Sequence, residues 1–82
     1  MAKIEIGGVY TFNPSKKEKV WYAPEFSFVL YQYDQESGRI YLYHLIDKKR
    51  IIEKNAFIID QYWYKHTQAE IDTYEILYGN KV

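Results

Sequence analysis

The chain has no cysteine, four glycines, two prolines and two histidines in 82 residues. Without cysteine there is no disulfide, no thiolate metal site and no thiol redox chemistry, so the fold must stand on packing alone. No apolar run approaches the ~18 residues that a membrane-spanning helix requires. The N-terminal stretch MAKIEIGGVYTF has neither the apolar core of a secretory signal nor an Arg-rich amphipathic pattern. The expectation is therefore a cytoplasmic protein with no membrane partner. An excess of charge of one sign is missing too, since eleven basic residues balance eleven acidic ones. A protein that grips a phosphate backbone is more often net basic, so this balance weighs against nucleic acid. Catalytic groups are scarce: two His, three Ser, and no nucleophile next to a base in sequence. Two isolated His without a spaced carboxylate do not make a metal site. No catalytic residue, metal or cofactor is expected.

What the chain has instead is aromatic side chains: ten Tyr, four Phe and two Trp. Strands favour such residues, and with no low-complexity tract the composition is that of one small folded domain over residues 1–82. A domain of this size buries only about 60–65% of its unfolded surface. Lys outnumbers Arg nine to two and Ile and Tyr are abundant, the bias of an AT-rich coding sequence such as that of a low-GC bacterium or its phage.

Residues 26–46, FSFVLYQYDQESGRIYLYHLI, read as a central β-hairpin. Glu36, Ser37 and Gly38 fit a three-residue loop, with Gly38 in the left-handed position. In that register Tyr33 faces Tyr41 and Tyr31 faces Tyr43, while Leu30 faces His44, Gln32 faces Leu42 and Phe28 faces Ile46 on the other side. Phe28, Leu30, Leu42 and Ile46 have no polar tip to satisfy, so the aliphatic side is assigned to the core. The four tyrosines then form an outer wall. Trp63, in the strand-like triplet Tyr62-Trp63-Tyr64, adds aromatic surface, and Lys48, Lys49 and Arg50 form a cationic turn at the hairpin's far side.

Before the hairpin, residues 3–12 read as a strand bent at Gly7 and Gly8, followed by a polar loop with Lys16, Lys17 and Lys19 at its tip. Val20-Trp21-Tyr22 reads as a short strand whose Trp21 closes the core. After it, Arg50 to Glu53 returns as a strand, and Phe57-Ile58-Ile59 is a short apolar run. His44 is expected as a satisfied core or rim residue and His66 as an exposed one. Thr67-Gln68-Ala69-Glu70 matches a capping box, so a C-terminal helix is expected over residues 67–78, with its regular part from Gln68 to Tyr78 and Gly79 as its stop. This helix either caps the barrel or docks on the tyrosine wall.

A bent first strand, a long loop, a three-stranded antiparallel meander and a short last strand resemble a small SH3-like barrel; an OB-like barrel is the nearest competitor. The resemblance is architectural and carries no functional residues. The chemistry points to a non-enzymatic protein-binding module, since Tyr and Trp supply stiff amphipathic contact area and are frequent hot spots. Its candidate contacts are Tyr31, Tyr33, Tyr41, Tyr43, Trp63, Lys48, Lys49 and Arg50. The competing use of the same residues is single-stranded nucleic acid, with bases stacked on tyrosines and phosphates on the basic loops. A self-complementary wall would make a homodimer. Size and coding bias suggest a small phage or mobile-element regulator or inhibitor.

Overall fold

A computed structural model describes residues 4–15 and 19–79. The loop tip assigned to Lys16 and Lys17 lies outside them. Among the described residues five strands form one antiparallel sheet: β1 (Val9–Phe12), β2 (Ser27–Asp34), β3 (Arg39–His44), β4 (Ile51–Asn55) and β5 (Trp63–Lys65). Their order is β4-β3-β2-β1-β5, a meander of three strands extended by the first and last. Among the described residues β4 and β5 do not pair with each other, so the sheet has two edges. Among the described residues the other elements are a 3₁₀ turn over Pro24–Phe26 and two α-helices, α1 (Ala56–Tyr62) between the last two strands and α2 (Gln68–Tyr78) after them. The fold is therefore mainly β, with a short C-terminal helix as expected.

The hairpin of β2 and β3 forms, but in another register. Its loop holds four residues, 35–38, so Asp34 pairs with Arg39, Tyr33 with Ile40 and Gln32 with Tyr41. A bulge at Tyr31 then shifts the pairing, and Leu30 meets Leu42, Val29 meets Tyr43 and Phe28 meets His44. Beyond the bulge each strand keeps the inward set assigned from sequence. Between bulge and loop the faces of β2 exchange, which turns Tyr33 inward beside Ile40. The wall of four tyrosines is thus three, with Tyr33 packed against the core. Ile46, assigned to the core, is 64% exposed, because β3 ends at His44 and the chain turns away there.

The core is a layer of Tyr10, Leu30, Ile40, Leu42, Ile59 and Trp63 between the inner sheet face and α1. Burial of such side chains contributes about 1.5–3 kcal/mol each. Residues 56–62, read from sequence as an apolar run leading to a strand, form two helical turns that deliver Ile59 to this layer. The first strand is shorter than expected. Gly7 has φ +89°, a left-handed conformation, and a Cβ on Gly8 would lie 2.9 Å from the Tyr10 ring and 3.0 Å from the Glu5 carbonyl. The two glycines thus bend the chain and let Tyr10 lie flat against it. Trp21, expected to close the core, is 85% exposed, and Val20 to Tyr22 form no strand. Trp63 fills the core instead.

Candidate functional site

The outer sheet face divides into two halves. On the first half, where β1, β2 and β5 meet, Thr11, Ser27 and Tyr64 share one side by their pairing. His66 lies over them. Expected to be exposed, it is only 2% exposed, because its backbone N–H continues the ladder to the Val9 carbonyl and the long loop folds Tyr22 onto its ring. Its Nε2 is 2.7 Å from Thr11 Oγ1, which in turn is 3.1 Å from Ser27 Oγ. The rings of Tyr22 and Tyr64 meet the imidazole edge-on at 5.1 and 5.0 Å, and Tyr22 carries Tyr74 of α2 at 5.2 Å. α2 is fixed here by its start. Thr67 and Glu70 form both hydrogen bonds of the capping box, and Tyr64 donates its hydroxyl to Glu70 Oε2 at 3.0 Å. Gly79 ends the helix with φ −71°, an ordinary right-handed conformation and not the left-handed cap.

Hydroxyl, imidazole and carboxylate follow one another from Thr11 through His66 to Glu70, the groups of a nucleophilic triad. Thr11 and Ser27 are buried beneath His66, and the second imidazole nitrogen stands 3.6 Å from Glu70 Oε1, too far for a hydrogen bond. Burial holds the His66 imidazole below its ordinary value, against the raising pull of Glu70. Burial pushes the Glu70 carboxyl up, but the Thr67 backbone N–H, the Tyr64 hydroxyl, His66 and Lys19 outweigh it, and its value is lowered.

On the second half, formed by β2, β3 and β4, the Tyr31 ring lies 6.4 Å from Tyr41 and 5.9 Å from Tyr43. Tyr31 is 37% exposed and its two neighbours are half-buried. The helix α2, which sequence allowed either to cap the barrel or to cover this wall, instead sets its Tyr74 edge-on against Tyr22 in the other half. Arg39 and Glu53 form an ion pair beside the open rings.

The other expected contacts lie elsewhere. Trp63 is in the inner face, tilted against Phe12 at 5.4 Å and edge-to-face with Phe28 at 5.8 Å. Arg50 turns to the same side, its guanidinium 5.8 Å from the Phe28 ring centre. Lys48 and Lys49 stand exposed on the β3–β4 turn. The structure therefore joins Tyr31, Tyr41 and Tyr43 on one surface and Trp63 with Arg50 on the opposite one. There a hollow of about 520 Å³ opens between β4, α1 and β1. Sequence reasoning missed this mouth and the exposed rings of Phe12, Trp21 and Phe26 beside it. The alternation of Tyr10 and Phe12 along β1 was the available signal for Phe12; nothing local marked the others.

His44 is structural. Its Nδ1 accepts from the Ile46 and Asp47 backbone N–H groups, so Nε2 carries the proton and donates to the Glu25 carbonyl at 2.8 Å. Among the described residues no three His, Asp or Glu side chains gather where they could hold a metal ion, and no helix is long and apolar enough to cross a membrane. No protein family matches the chain, and no curated protein or solved structure matches it either.

Proposed function

We propose that the chain is a non-enzymatic protein-binding module that engages its partner through the open half of the outer face. One observation carries this reading: Tyr31, Tyr41 and Tyr43 form a contiguous set of rings that α2 leaves uncovered. Tyr is suited to such a role because it presents a large rigid surface with a polar tip and loses little entropy on contact. The strand order, with β1 joined to both β2 and β5 and a short helix between β4 and β5, fits an SH3-like arrangement. That arrangement is a frequent host of binding sites, though fold alone assigns none. A cytoplasmic regulator or inhibitor from a phage or mobile element fits the size and coding bias.

The competing use of the same rings, stacking of single-stranded nucleic acid, requires cations along the platform. Arg50 instead leans toward Phe28 on the inner face, and Arg39, the cation beside the rings, is paired with Glu53. Capture of partners from a lysate with and without nuclease separates the two. The expected result is a protein partner retained after nuclease and lost in the Tyr31→Ala, Tyr43→Ala variant. Retention that vanishes with nuclease and falls steeply with salt would replace this reading by the nucleic-acid one.

A further inference from the structure

The strand β4 is an edge: among the described residues it pairs with β3 alone. Its outward backbone N–H and C=O groups are open to another strand, and its sequence IIEKN has no proline to block one. Beside this edge lies the mouth of the inner face. Phe12, Phe28, Ile52, Ile58 and Trp63 give it apolar walls, and among the described residues the charged side chains that line it are Arg50 and Lys54. Neither cation forms an ion pair among the described residues, while the nearest acid on β4, Glu53, faces the other side and is held by Arg39.

Spacing along the edge sets what it accepts. Ile52 pairs with the buried Leu42, so Ile52 and Lys54, two residues apart, face inward, and Arg50 turns to that side over Phe28. Two copies of β4 paired antiparallel about Ile52 would set Arg50 of each against Lys54 of the other. Like charges directly opposed destabilise a pair, so the edge rejects its own copy in that register. It complements a strand with the reverse pattern.

We infer that the β4 edge and the adjoining hollow bind an extended partner segment whose inward positions read acidic, apolar, acidic. The apolar side chain enters the hollow beside Ile52, and the two carboxylates meet Arg50 and Lys54. Main-chain hydrogen bonds to β4 supply affinity and the charge pattern supplies selectivity. The hollow is on the opposite side of the sheet from the rings of Tyr31, Tyr41 and Tyr43.

The test uses the whole chain, isotope-labelled, and a capped peptide Thr-Glu-Thr-Phe-Thr-Glu-Thr, with a control carrying Lys in place of both Glu. Amide shifts concentrated in residues 51–55, together with the Trp63 indole N–H, are expected for the acidic peptide only. Arg50→Glu with Lys54→Glu should weaken the acidic peptide at least about tenfold and admit the Lys peptide. The Tyr31→Ala variant, whose site on β2 leaves the β3–β4 ladder untouched, should bind the acidic peptide as the natural chain does. Equal binding of both peptides, no response along β4, or loss of binding in the tyrosine variant would each overturn the inference.

Discussion

Tyrosines stand on both halves of the outer face, and they do different work on each. Near β1 and β5, Tyr22 and Tyr64 close around His66, Thr11 and Ser27, and Tyr74 adds the helix on top. Near β3, the Tyr31 ring meets those of Tyr41 and Tyr43, while the ring contacts of α2 go to Tyr22 in the other half. The residue type is the same, and what differs is whether a distant segment reaches it. Tyr22 comes from the long loop after β1 and Tyr74 from the last helix; neither reaches the three rings of β2 and β3. A tyrosine-rich face is therefore a second core layer at one end and a candidate contact surface at the other.

The contrast is open to breakage by substitution. His66→Ala removes the ring at the centre of the covered half and leaves the buried Thr11 and Ser27 hydroxyls beside a void; a loss of roughly 2–4 kcal/mol is expected in denaturant unfolding. Tyr74→Ala removes one ring of the same stack and should cost about 1–2 kcal/mol, read as early loss of α2 helicity. Thr67→Ala deletes the cap and should cost about 1 kcal/mol, with partial recovery by Thr67→Ser. Tyr31→Ala, in the open half, should cost less than about 1 kcal/mol.

Acid sharpens the comparison further. The folded chain holds His66 below its ordinary value of 6.5, so the unfolded chain takes up that proton more readily. The His66 contribution to stability is complete above 6.5 and is lost as pH falls from there toward the lowered folded value. Glu70 is also lowered in the fold, so its contribution is present above its ordinary 4.5 and is lost only at more acid pH. Melts between pH 7.5 and 5 should therefore show declining stability. His66→Gln should flatten that decline, and Tyr31→Ala should leave it unchanged.

Much of the frame was legible. The capping box of Thr67 and Glu70 is a local signal, and it marked the start of α2 correctly. The alternation of Leu30, Ile40 and Leu42 against Tyr41 and Tyr43 marked the inner face, because the four-residue loop and the bulge together shift the far pairing by an even number of residues. The bulge itself left no trace in the sequence, which is why Tyr33 was placed outside. The α1 segment was hidden because seven residues, three of them Phe57, Ile58 and Ile59, are too few for a helical period and too β-prone to suggest one. Exposure of Trp21 and burial of His66 and Trp63 are decisions of long-range packing, made by contacts between segments far apart in the chain.

Side-by-side thermal unfolding of two double variants tests the division of this face most directly: Tyr31→Ala with Tyr43→Ala, and Tyr22→Ala with Tyr74→Ala. The first is expected to melt cooperatively close to the natural chain, and the second to lose α2 and melt well below it. Collapse of the first variant with survival of the second would show that the tyrosines of β2 and β3 are core and that the contact surface lies elsewhere.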